Sequence, residues 1–197
     1  MKKVIILLVL ICAFTTTAFA QPKTVTDYYL ALPGDIYGID NYGEPIKGKK
    51  ELEKFRRSLI SIEDVENDYL KLQGIWEGWA EIVLFRKTDG NVIVALAEAG
   101  CGPACSGYVR FYSYQAGKWT DITDDTLPNV EEAELEKLFS RNKLPLDEGI
   151  YSYYLLPRGG KTIKMACNEC SDEEHFTLLE FEWNGAKFIR KRSHSNR

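Results

Sequence analysis

The sequence predicts an α+β chain, mostly antiparallel β-sheet from two related meander units, with two or three short helices. Three observations predict it. Runs of strand-forming residues between 82 and 114 are punctuated by turn pairs. The same order of runs and turns returns between 150 and 188. Elsewhere, apolar residues recur at helical spacing in two stretches, the second preceded by a capping box.

The first unit covers residues 81–119. Ile82-Val83-Leu84-Phe85 is its first strand, and Asp89-Gly90 supplies the positive-φ residues of a tight hairpin. Val92 to Ala97 is β-branched at its start and apolar throughout, as a buried strand is. A loop, CGPAC, leads to a third strand over Tyr108–Tyr114, and Ala116-Gly117 turns the chain towards Trp119.

The second unit covers residues 150–188. Tyr153 to Leu156, Gly159-Gly160, Thr162 to Ala166, a CNEC loop, Phe176 to Trp183 and Asn184-Gly185 repeat the plan. An offset of 69 pairs Tyr112 with Phe181, Tyr114 with Trp183 and Trp119 with Phe188. Nearer the start, an offset of 70 pairs Gly90 with Gly160 and Ile93 with Ile163. Two copies are too few for a solenoid, which needs about three or more.

Thr26 to Leu32 reads as a short helix begun by a Thr or Asp cap and stopped before Pro33. Gly34 to Gly48 reads as loop. Lys49 to Ile60 carries Leu52, Phe55 and Leu59 at helical spacing, and Ser61 to Asp64 resembles a further capped helical turn. Tyr69 to Leu72 alternates as a strand does. Between the units, Asn129 and Glu132 form a capping box ahead of a helix with Leu135, Leu138 and Phe139 on its apolar face.

Residues 1–20 read as a secretory signal peptide. Lys2-Lys3 is the positive start, Val4 to Ile11 the apolar stretch, and Ala18-Phe19-Ala20 the small-x-small cleavage pattern, with Gln21 as the first mature residue. A membrane anchor needs about 20 apolar residues, and Thr15 to Thr17 interrupt this run. Cys12 follows Val9-Leu10-Ile11, which lacks the small residue that lipoprotein processing favours. The expectation is a periplasmic or secreted chain with no transmembrane anchor, and residues 21–197 as a single domain. Without Lys2 and Lys3, 25 basic residues become 23 against 29 acidic ones, a net charge of −6. That opposes nucleic-acid binding, which depends on neutralising phosphates.

Four cysteines remain: Cys101, Cys105, Cys167 and Cys170. An oxidising compartment makes disulfides the default, and four cysteines allow three pairings. Matched positions in the two units favour Cys101–Cys105 and Cys167–Cys170. A bridge across the units would constrain the unfolded chain more, by roughly 4 against ~2 kcal/mol. Two alternatives compete with structural disulfides. Four thiolates at CxxxC and CxxC spacing could hold zinc. CGPAC also approaches the CGPC of thioredoxins, but with one residue too many and a strand after it. Glu169, Asp172, Glu173 and Glu174 surround Cys170 and disfavour a reactive thiolate.

No catalytic set, metal site or cofactor motif is assigned. His175 and His194 are the two histidines, and no nucleophile elbow accompanies them. The candidate binding residues are Trp76, Trp79 and Tyr108, aromatics able to stack on sugar rings, although core packing explains most aromatics at strand positions.

The leader, the DYYLALP segment, the GWAEIVLF run with its CGPAC loop and the FEWNGAKF hairpin are similar to uncharacterised exported bacterial proteins. That resemblance implies the compartment and no chemistry. The expected function is a non-enzymatic envelope binding or interaction module, its partner an envelope protein or a saccharide. The alternative is a periplasmic thiol–disulfide oxidoreductase or a cell-wall hydrolase.

Overall fold

The structure, a computed structural model, describes residues 23–38, 44–74, 77–102, 104–144, 150–167 and 175–191. The leader with Cys12 and the cleavage point, Trp76, Cys170 with its acidic neighbours Glu169, Asp172, Glu173 and Glu174, and His194 lie outside the described residues.

Two antiparallel meanders carry the fold. Six strands, β1 (Ile60–Asp64), β2 (Tyr69–Leu72), β3 (Gly78–Arg86), β4 (Val92–Cys101), β5 (Cys105–Gln115) and β6 (Lys118–Asp121), pair in sequence order. Four more, β7 (Tyr153–Leu155), β8 (Thr162–Cys167), β9 (Phe176–Trp183) and β10 (Phe188–Arg190), form a second sheet in sequence order. Among the described residues, four short helices accompany them: α1 (Val25–Leu30), α2 (Lys49–Ser58), α3 (Thr123–Thr126) and α4 (Glu132–Asn142). No described helix is long and apolar enough to cross a membrane.

Strand side chains alternate between faces, and the first sheet is apolar on both. Leu70, Leu72, Ile82, Leu84, Val94 and Leu96 pack against Val25, Tyr28 and Tyr29 of α1, with Phe55 of α2 beside them. On the other face, Val83, Phe85, Ile93, Ala95, Val109 and Phe111 meet Ile163, Met165, Phe181, Trp183 and Phe188 of the second sheet, and Phe139 of α4. Helices α1 and α2, the six-stranded sheet and the four-stranded sheet therefore form successive layers, with α4 on the side of the second sheet. Covering on both faces explains why β3 and β4 read as continuous apolar runs rather than alternating ones.

The meanders share a ladder. Adding 69 carries the cross-strand pair Val94–Tyr112 onto Ile163–Phe181, and Tyr114–Trp119 onto Trp183–Phe188. By this register the counterpart of Ile163 is Val94, not Ile93. A one-residue slip would reverse the face of every side chain, so the offset of 70 at Ile93 does not survive. Both sets turn the same face to the layer before them: Val94 and Tyr112 to the helices, Ile163 and Phe181 to the first sheet.

Several local expectations change. The first helix is capped by Thr24, whose hydroxyl accepts from the Asp27 N–H while Asp27 reaches back to the Thr24 N–H, a reciprocal cap that starts the helix one residue earlier than Thr26. Ser61 to Asp64 belongs to strand β1, because pairing with β2 satisfies its backbone; Asp64 instead caps the 3₁₀ turn Val65–Asn67. Asn129 caps nothing: α4 begins at Glu132 with Glu131 still extended, and the Asn129 amide donates to Glu131 Oε1 at 2.5 Å. At Asp89-Gly90 only Gly90 has positive φ, 84°, because the hairpin is closed between Arg86 and Val92 by a longer loop. At Ala116-Gly117 both residues do, 50° and 81°, the geometry of a two-residue turn.

Candidate functional site

The strand pair β4–β5 places the polar groups that the apolar layers leave uncovered. Its turn end is stapled by a disulfide between Cys101 and Cys105, the last residue of β4 and the first of β5, which are also register partners. Both cysteines are strand residues and neither begins a helix, so the feature that lowers thiol pKa in CxxC oxidoreductases does not arise. With the two sulfurs bonded to each other, they supply no thiolates to a four-cysteine zinc site. Cys167 is disulfide-bonded as well.

Three residues in from this staple, Glu98 of β4 stands opposite Tyr108 of β5. Both lie on the helix-bearing face, beyond the cover of α1 and α2. A third element completes the cluster: Tyr37, in the loop after α1, donates its hydroxyl to Glu98 Oε1 at 2.5 Å. Tyr108 also hydrogen-bonds Glu98, and its phenol pKa is pushed up to about 12, first by desolvation and then by that bond and the carboxylate charge. Burial, with the same carboxylate, drives the Tyr37 phenol further up. Both phenols thus remain donors over any physiological range.

Tyr108 is nevertheless 48% exposed. The Arg110 guanidinium, two residues along β5, lies 5.1 Å from its ring centroid and hydrogen-bonds Tyr112. A groove of about 560 Å³ runs along Glu98, Gly100, Ser106 and Tyr108. A second hollow, about 670 Å³, begins at Arg110 and passes Asp121, Thr123 and Asp125. Gly107 keeps the floor of the first groove tight: a Cβ there would fall 2.0 Å from the Glu98 carbonyl oxygen. Its N–H donates to Ser152 O at 2.9 Å, tying the hairpin to the chain entering β7.

Tyr37 is held in an uncommon backbone state, φ 52°, which a bulky side chain adopts only under outside constraint. Arg56 of α2 supplies one. Fully buried, its guanidinium donates to the carbonyls of Leu30, Leu32 and Pro33 at 3.0, 2.8 and 2.6 Å, and to that of Ile36. The loop that presents Tyr37 is therefore nailed to α2 by one side chain. Arg56 Nε is the buried side-chain nitrogen left without a partner among the described residues.

The predicted binding residues do not converge. Trp79 sits on the opposite face from Tyr108, edge-on to Tyr153 at 5.4 Å with Lys71 Nζ 5.7 Å from its ring. It packs with Ala99, Cys105 and Ala166, and is half-buried there. Trp76 lies outside the described residues. Tyr108 alone of the described pair faces an open groove. Sequence reasoning missed Tyr37, Glu98 and Arg110. Glu98 left one trace, a carboxylate inside the otherwise apolar run Val92–Ala99.

Glu81 left the same trace in β3. It is 6% exposed and accepts from Tyr69 Oη at 2.9 Å and from the Leu156 N–H at 2.7 Å. Desolvation raises its pKa against these two bonds and the charge of Lys71. It joins β2 to the chain leaving β7 and lines neither of the two hollows. Among the described residues, no group of three His, Cys, Asp or Glu side chains is placed to hold a metal ion.

No family model and no curated protein matches this chain. A solved structure shares its fold. It is a domain of an uncharacterised protein from Porphyromonas gingivalis W83, similar at a TM-score of 0.52 and 13% identity over 85% of this chain and 97% of that one. At that identity the likeness concerns the layered arrangement alone.

Proposed function

We propose that the chain is a non-enzymatic binding module of the bacterial envelope, exported by its leader, with residues 21–197 forming one domain built from a duplicated meander. One apolar cluster shared by both sheets supports the single domain, and the common 69-residue ladder offset supports the duplication. Export rests on the leader sequence and agrees with the oxidised Cys101–Cys105 pair.

The observation that carries the binding reading is Tyr108. Its ring is nearly half exposed at the mouth of an open groove, and its hydroxyl is anchored by Glu98. An aromatic fixed at one end and open at the other is what recognition surfaces use, since little rotamer entropy remains to be lost on binding. The oxidoreductase alternative has less support, because Cys101 and Cys105 are paired strand residues. We further assign the second bridge to Cys167–Cys170.

The test is cosedimentation of the mature protein with isolated cell-wall sacculi and with envelope membranes. Wild type should sediment with one of these fractions and Tyr108→Ala should stay in the supernatant. Sedimentation with neither fraction, or equal sedimentation of both proteins, refutes the reading.

A further inference from the structure

Building on the binding reading, we propose that the Glu98–Tyr108 groove is a subsite for an uncharged saccharide, which stacks a ring on Tyr108 and directs vicinal hydroxyls at Glu98 and Arg110.

The chemistry of the groove selects this class. A sugar ring offers an apolar C–H face edged by hydroxyls that both donate and accept. It needs a flat apolar platform with a strong acceptor and a strong donor at the rim. Tyr108 is the platform, 48% exposed. Glu98 is the acceptor: one oxygen takes the Tyr37 hydroxyl, which fixes the carboxylate plane, and a carboxylate has about four lone-pair sites in all. Arg110 is the donor, its guanidinium over one face of the ring at 5.1 Å from the centroid, so that the sugar would take the other face. Ser106 brings a hydroxyl to the same groove. Bonds to ionised groups are roughly twice as strong as neutral ones, which helps a solvated hydroxyl exchange water for protein.

The other ligand classes fit less well. Among the described residues that line the two hollows, Glu98, Asp121, Asp124 and Asp125 stand against one cation, Arg110, within a chain of net charge −4. A polyanion is repelled. A cationic ligand would meet Arg110 already over the ring. An apolar peptide side chain would leave the Glu98 carboxylate desolvated without a hydroxyl to replace water. An uncharged polyhydroxyl ligand satisfies both charges without adding one.

The parts come from three separate stretches, and all are held in place before a ligand arrives. Arg56 fixes the loop that carries Tyr37, Tyr37 fixes Glu98, and the Cys101–Cys105 staple fixes the hairpin end. Pre-organisation of this kind removes ordering costs from binding.

The experiment is a ¹H–¹⁵N titration of the mature protein with cellotetraose, mannotetraose and chitotetraose, with tetragalacturonate as the acidic control and tetralysine as the cationic one. At least one neutral oligosaccharide should shift the amides of 98–100 and 106–110, saturably at millimolar concentration or below. Tyr108→Ala should weaken that affinity tenfold or more and Glu98→Gln about tenfold, while Tyr108→Phe, which keeps the ring, should change it less than threefold. Amide spectra of the unliganded variants confirm that each is folded. Absence of shifts with all three neutral sugars, a preference for tetragalacturonate or tetralysine, or affinity unaffected by Tyr108→Ala overturns the proposal. If cosedimentation still depends on Tyr108 while no neutral sugar binds, the binding-module reading stands and the saccharide assignment falls. If cosedimentation itself fails, the failure lies with the former.

Discussion

Glu81 offers a perturbation whose outcome can be worked from the structure. Its two carboxylate oxygens each accept one buried donor, Tyr69 Oη on β2 and the Leu156 N–H just past β7. Both donors belong to residues at most 6% exposed. Glu81→Leu strands both, and an unsatisfied buried donor costs about 1–3 kcal/mol. Relief of the desolvated charge offsets part of this, leaving an expected loss of about 2–4 kcal/mol at neutral pH. Glu81→Gln behaves differently. Its amide oxygen can accept from Leu156 while its NH₂ donates to Tyr69 Oη, so both partners are satisfied without a charge. The pH dependence separates the two effects. Burial raises the folded pKa of Glu81 above 4.5, so the native state binds the proton more tightly than the unfolded state does. The contribution of this group to stability therefore falls as pH rises from about 4.5 through the folded pKa, and is constant above it. Glu81→Gln lacks this titration, so its stability relative to wild type should improve from pH 4.5 upward. Urea unfolding of the three proteins between pH 4 and 8 measures this. If Glu81→Gln is destabilised as much as Glu81→Leu, and its difference from wild type does not change with pH, then the carboxylate does not join β2 to the chain leaving β7 as described.

Three further outcomes are expected. Arg56→Met removes donors to four carbonyls at once and should cost about 3 kcal/mol or more by chemical denaturation, with amide shifts reaching Glu98 through Tyr37; an unmoved midpoint would show that the guanidinium does not hold the loop. Replacing Cys101 and Cys105 by serine opens a loop of sequence separation 4 and should lower stability by ~2 kcal/mol; a loss above about 4 kcal/mol would mean that the bridge constrains far more than its own hairpin. Gly107→Ala puts a methyl 2.0 Å from the Glu98 carbonyl oxygen; the β4 backbone must give way, with a cost of about 1–3 kcal/mol and a displaced Glu98–Tyr108 pair, and a neutral result by calorimetry would show that the hairpin flexes there freely.

Much of the strand framework was legible in the sequence, and the failures have local causes. The apolar runs, the Ala116-Gly117 turn and the stripe Leu52, Phe55, Leu59 each follow from backbone periodicity within a few residues. Ser61 to Asp64 was misread because its residues suit a cap, while pairing with β2 decides its conformation. Asn129 was misread because a capping residue followed three positions later by Glu is a pattern, and only the extended backbone at Glu131 shows where the helix starts.

The candidate site was barely legible. Glu98 and Glu81 look alike in sequence, each a carboxylate set in an apolar run. Successive strand residues face opposite ways, and the two glutamates fall on opposite faces of the first sheet. One is buried and accepts a backbone N–H from Leu156, just past β7; the other lies past the edge of the helical layer, beside an open groove. No local pattern distinguishes them, because what covers a strand face is set by chain far away in sequence. The sequence by itself determined the sheets, their order and the cysteine spacing, since hydrogen-bond ladders and turns are satisfied between neighbours. Tertiary packing alone decided that Tyr37, Glu98, Tyr108 and Arg110 would meet at an open edge, because burial depends on how the layers stack.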